Sequence, residues 1–125
     1  MHARLLPALS LVALLTFAQP AAAGGGDHSP CRKFARGPEI SMQDVCFEGT
    51  AHVVKAGTTV EVTNDGGLDH DVVAVDGSFA SKAVRPGETF EVTVDDAGVV
   101  PFYCTLHGTP HGDGMAGVLI VSRRL

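Results

Sequence analysis

The sequence predicts an all-β fold, an antiparallel sandwich or barrel of about seven short strands. Three observations lead there. Apolar and polar residues alternate with a period of two over residues 58–64 and again over 89–95. The segments between such runs carry turn residues, as in Ala56-Gly57, Gly66-Gly67 and Arg85-Pro86-Gly87-Glu88. Beyond an N-terminal leader nothing sustains a helical period, and only residues 79–83 have room for a single helical turn.

The elements follow in chain order. Residues 1–23 read as a signal peptide: Arg4 is a short basic start, residues 5–17 are apolar, and Ala21-Ala22-Ala23 are small enough for a signal peptidase. The apolar run is too short to span a bilayer. No Cys stands at the cleavage point to take a lipid anchor. Export to the periplasm, cell envelope or extracellular space is expected. Cleavage before Gly24 leaves 102 residues, the size of one compact domain. Residues 24–38, rich in Gly, Pro and charge, read as a flexible tether, and residues 39–125 as the folded domain.

Ile40 and Met42, with Val45, mark a first strand, and residues 51–54 a second that ends at the Ala56-Gly57 turn. Over 58–64, Val60 and Val62 face one way and Thr59, Glu61 and Thr63 the other. A strand over 70–75 follows the Gly66-Gly67 turn. Arg85-Pro86-Gly87-Glu88 fits a type II turn, with Pro setting φ at the second position and Gly taking positive φ at the third. Residues 89–95 are expected to bury Phe90, Val92 and Val94, and residues 99–104 and 117–122 complete the set.

Charge narrows the partners. Lys and Arg number 9 against 14 Asp and Glu, a formal −5, which becomes −6 once Arg4 leaves with the leader. An acidic surface disfavours nucleic acid and anionic lipid and favours encounter with a basic protein. The three cysteines of an exported chain divide as two plus one. Cys31 and Cys46, with fourteen residues between them, are the expected disulfide in an oxidising compartment. Cys104 remains unpaired and needs either protection or a metal.

Its surroundings supply the metal chemistry. Phe102-Tyr103-Cys104-Thr105-Leu106-His107 is followed by Met115 and preceded, far upstream, by His70. One thiolate, two imidazoles and a thioether make the ligand set of a type 1 copper site, a His₂Cys plane with a weak axial Met. His111 competes with His107. The Cys-x-x-His spacing favours His107, because a short loop closes on one metal. His111 follows Pro110 among Gly108, Gly112 and Gly114, where pinning the chain costs more entropy. Met42 has no such company and reads as core; His28 with the freed Gly24 amine is an incidental metal-binding pair.

These segments resemble the plastocyanin-type cupredoxins, small blue copper proteins, from about residue 39 to 125. Asn64-Asp65-Gly66-Gly67-Leu68-Asp69-His70-Asp71-Val72-Val73 is similar to the stretch leading to that family's upstream His ligand. Tyr103-Cys104-Thr105-Leu106-His107 with Gly114-Met115-Ala116-Gly117 is similar to its ligand loop. The resemblance implies a Greek-key β-sandwich holding one copper, Cu(I) or Cu(II), through His70, Cys104, His107 and Met115. The sequence departs from the family pattern at three places. Asp71 stands where the family usually has Asn, so an ionised side chain there only accepts, with the Thr105 hydroxyl as the expected donor. Leu106 stands where Pro usually precedes the second His. Seven residues separate His107 from Met115, against the usual four.

Four protein ligands leave a metal no open position, which argues for electron transfer and against an enzyme. The expected molecule is a monomeric, exported one-electron carrier without a membrane span, working between redox proteins such as a basic cytochrome or an oxidase. The alternative is a copper carrier or scavenger that delivers the metal to an oxidase.

Overall fold

The computed structural model describes residues 31–125. The leader over 1–23, His28 and the first part of the tether lie outside the described residues. The described residues form nine strands: β1 (Phe34–Arg36), β2 (Glu39–Gln43), β3 (Cys46–Phe47), β4 (Ala51–Lys55), β5 (Thr58–Asn64), β6 (Val73–Ala74), β7 (Thr89–Val94), β8 (Gly98–Gly108) and β9 (Gly114–Ser122). They form a five-stranded sheet in the order β1-β4-β9-β8-β6 and a four-stranded sheet in the order β3-β2-β5-β7. The molecule is a two-sheet β-sandwich.

The sheets are mixed, which corrects the antiparallel expectation. β1 with β4, β4 with β9, and β2 with β5 pair in parallel. The Ala56-Gly57 turn explains why: it carries the chain from β4 in one sheet to β5 in the other, so consecutive strands are not hydrogen-bonded neighbours. Each then pairs with a strand from elsewhere in the chain, and a long connection permits either direction. The type II turn has its expected form, with Gly87 at φ 83° and the Glu88 N–H donating to the Arg85 carbonyl at 2.9 Å.

Other expectations are revised. Residues 79–83 are extended, because their backbone bonds run across rather than along the segment. Ala74 N–H donates to the Phe79 carbonyl and Ser81 N–H to the Val72 carbonyl, both at 2.9 Å, which leaves no helical ladder to form. Residues 34–36, assigned to the tether from sequence, are β1, which pairs along the otherwise open edge of β4. The Cys31–Cys46 disulfide fastens this end to β3. Val45 is not a strand residue; it sits 66% exposed in the turn between β2 and β3. On β7 only Val94 is buried, while Phe90 and Val92 are half-buried, since β7 is the edge of its sheet.

Both sheets contribute to one core: Ile40, Met42, Phe47, Val60 and Val62 from one, Val54, Phe102, Leu119 and Val121 from the other. Phe47 on β3 meets Phe102 on β8 edge to face, centroids 4.7 Å apart and planes at 77°, pinning the sheets together near the upstream end of the Cys104 segment. Gly117 is required beside them. A Cβ there would lie 2.6 Å from the Phe102 ring and 3.1 Å from the Thr50 carbonyl oxygen.

Candidate metal centre

Three segments converge at one end of the sandwich. β8 brings Cys104 inward, fully buried, and three residues later His107, half-buried. His70 arrives from the irregular segment before β6 and is fully buried. Its backbone is clamped both ways to Val84, whose N–H donates to the His70 carbonyl at 2.7 Å and whose carbonyl accepts the His70 N–H at 3.2 Å.

The side chains of these residues face one another. His70 Nδ1 lies 3.1 Å from His107 Nδ1, and Cys104 Sγ lies 3.8 Å and 3.6 Å from those two nitrogens. One point lies about 2.0 Å from all three atoms, close to the usual length of a metal bond to imidazole nitrogen and slightly short for thiolate sulfur. Two facing imidazole nitrogens repel through their lone pairs unless a proton or a cation lies between them. The donor set therefore fits a soft metal ion. Among the described residues, His70, Cys104 and His107 are the one cluster of this kind.

Electrostatics set the protonation states that a metal would meet. Burial pushes the Cys104 thiol above its ordinary pKa, and the nearby Asp71 carboxylate adds to this; the backbone N–H groups of Asp71, Leu106 and His107 oppose it. Burial, followed by the neighbouring His107, holds His70 below its ordinary value against the pull of Asp44, Asp71 and Asp69. Without metal the two favour their neutral forms, a thiol and an imidazole. A bound metal displaces the thiol proton.

Met115 is the second residue of β9 and is fully buried beside this cluster in sequence and register. The long spacing from His107 is taken up by an extended hairpin. Gly108 pairs with Gly114, and the residues between them close a tip in which Thr109 N–H donates to the Asp113 carbonyl at 2.9 Å. Both glycines are sterically required, because a Cβ on Gly108 would run into the Met115 backbone and one on Gly114 into the His107 carbonyl. Extra residues thus lengthen the tip while His107 and Met115 each stay one residue from the common Gly108–Gly114 rung, on the side away from the tip. His111 sits exposed on that tip, outside the cluster.

Two residues missed in the sequence hold the His70 segment. Asn64, fully buried at the end of β5, donates to the Leu68 carbonyl at 2.7 Å and the Val84 carbonyl at 2.8 Å, and accepts the Gly66 N–H at 3.0 Å. Asp44, in the β2–β3 turn, accepts the N–H groups of Gly67 at 2.6 Å and Leu68 at 3.1 Å. Its carboxylate leaves no room for a Cβ at Gly66. Asp44 Oδ1 also lies 4.0 Å from His70 Nε2, which is buried without a hydrogen-bond partner. An Asn directly before a Gly-rich turn was the available signal for the first; nothing in the sequence pointed to Asp44. Asp71 acts as expected, accepting the Thr105 N–H at 2.6 Å and the Thr105 hydroxyl.

The family model for copper binding proteins of the plastocyanin/azurin family matches residues 37–122. Chloroplastic plastocyanin of Hordeum vulgare is 38% identical over 87 residues, covering 61% of this chain and 54% of that protein. Halocyanin of Natronomonas pharaonis is 44% identical over 81 residues, covering 60% and 47%. The chain spans about half the length of these curated relatives. Among solved structures, a purple cupredoxin from Nitrosopumilus maritimus matches with a TM-score of 0.59 at 27% identity, covering 69% of this chain and all of that one.

Proposed function

Because the chain belongs to the plastocyanin/azurin family of copper-binding proteins, we propose that it is an exported one-electron carrier that holds one copper through His70, Cys104, His107 and Met115. The observation that carries this reading is the triangle of His70 Nδ1, His107 Nδ1 and Cys104 Sγ, two of its three residues fully buried. Bound copper supplies a single-electron couple between Cu(I) and Cu(II). The protein's part is to keep the ligands from moving when the charge changes. Cys104 and His107 share one strand, His70 is clamped to Val84, and Asp71 ties the His70 segment to Thr105. A site held in one geometry by its surroundings has little to rearrange on electron arrival or departure.

His107 is the one member of the triangle that reaches solvent, and exposed Leu106 stands beside it. An electron partner therefore meets the molecule at this edge. Asp44, Asp65, Asp69, Asp71 and Asp113 lie on the segments that carry or border the ligands, so the fitting partner is a cationic redox protein. Export is supported by the leader read over residues 1–23 and by the Cys31–Cys46 disulfide, a bond of oxidising compartments.

Adding Cu(II) to the metal-free protein tests the reading. An intense visible thiolate-to-copper band is expected, and Cys104→Ser abolishes it because a hydroxyl does not replace thiolate as charge donor. A blue Cys104→Ser protein overturns the ligand assignment. Ready loss of copper to a competing chelator, with slow electron exchange, would make the protein a metal carrier instead.

A further inference from the structure

The structure assigns Asp71 a role beyond holding the ligand segments: we propose that it is a positioning residue whose fixed negative charge biases the bound metal toward Cu(II). The inference rests on the copper reading above. Asp71 directly follows His70, and Thr105 directly follows Cys104. Its two carboxylate oxygens take both donors of Thr105, the backbone N–H at 2.6 Å and the hydroxyl. A side chain held at two points does not swing away, so its charge stays beside both ligands.

That charge acts on the couple in one direction. With a thiolate and three neutral ligands, the oxidised centre carries one more positive charge than the reduced one. A nearby anion stabilises the more positive state more strongly, which lowers the reduction potential. The Asp71 backbone acts oppositely. Its N–H, with those of Leu106 and His107, stabilises the anionic form of Cys104 and withdraws charge from the sulfur. The two effects separate by mutation, because Asp71→Asn leaves the backbone untouched. Asparagine Oδ1 still accepts the Thr105 N–H, and its amide donates to the hydroxyl oxygen, so the clamp survives and only the charge is lost.

The test is a redox titration of the copper-loaded protein with soluble mediators, read beside the visible spectrum and the urea unfolding midpoint of the metal-free protein. Asp71→Asn is expected to keep the visible band and the unfolding midpoint. Its potential should rise by at least the equivalent of a tenfold change in the ratio of Cu(I) to Cu(II) affinity, 59 mV for a one-electron couple. Asp69→Asn removes an exposed charge on the other side of His70 and should give a clearly smaller rise. Asp71→Ala, which loses the clamp as well, should lower the unfolding midpoint and alter the band. Should the Asn variant fail to fold, Asp71→Gln gives the comparison with a longer neutral amide that keeps one acceptor and one donor. A potential that falls, stays put or matches Asp69→Asn while the band persists overturns the charge role. Absence of the band in the unmutated protein overturns the copper reading itself, a separate result.

Discussion

Two residues of the ligand loop, His107 and Leu106, decide how the site behaves. His107 and His111 offer the same chemistry, but His107 faces Cys104 and His70 while His111 stands exposed at the hairpin tip. His107→Ala is therefore expected to destroy or strongly alter the visible copper band, and His111→Ala to leave it nearly intact, as absorption spectra of the copper-loaded variants will show. Leu106 is the second. Its backbone N–H stabilises the anionic form of Cys104. Such a bond draws charge off the thiolate and favours Cu(I), and proline has no N–H to give. Leu106→Pro should lower the reduction potential; an unchanged or higher value by mediator titration would mean that the bond does not tune the metal. Leu106 and Asp71 thus act in opposite senses, one through a donor and one through a charge.

At the scale of elements, the site depends on how the segment between β5 and β6 is held, since β6 itself is only two residues long. Asn64 does most of this with three side-chain hydrogen bonds from a fully buried position. Asn64→Ala leaves two carbonyls and one N–H to find other partners and should cost about 2–4 kcal/mol. Urea denaturation of the metal-free protein measures it. A loss under about 0.5 kcal/mol, the range of an unremarkable surface change, would show that the turn holds without the amide. The β8–β9 hairpin carries the other half of the site. There the longer His107-to-Met115 spacing is absorbed by the tip, and the Gly108–Gly114 rung keeps the two ends of the loop together.

For the whole molecule, the two sheets share one core, while the N-terminal end of the described chain is attached mainly through β1 and the Cys31–Cys46 bond. The bridge closes a loop with a sequence separation of 15, for which the chain-entropy account gives about 3 kcal/mol. Reduction should lower the unfolding free energy by that order. Thiol titration of the denatured, metal-free and unreduced protein should find one free cysteine, Cys104; three would show that the pair does not form in solution.

The sequence by itself determined the all-β class, the sites of the tight turns and the residues with ligand chemistry. Period-two alternation, Gly and Pro backbone preferences, and the donor atoms of Cys, His and Met are local properties that need no neighbours to be read. Val60 and Val62 alternate with polar residues, and they are buried. Arg85-Pro86-Gly87-Glu88 demands its turn, and it forms. Only the tertiary structure decided the parallel pairings, the strand inside the supposed tether and the extended course of residues 79–83. Each of these depends on which distant segment offers hydrogen-bond partners. The same holds at the site. That Asp44 reaches over from another turn to hold Gly67 and Leu68 follows from how the sheets stack, whereas the meetings of His70 with Cys104 and of Asp71 with Thr105 were expected from the resemblance to the family's ligand segments. A contact between residues far apart in the chain that belongs to no motif, such as that of Asp44, has no period or spacing to announce it.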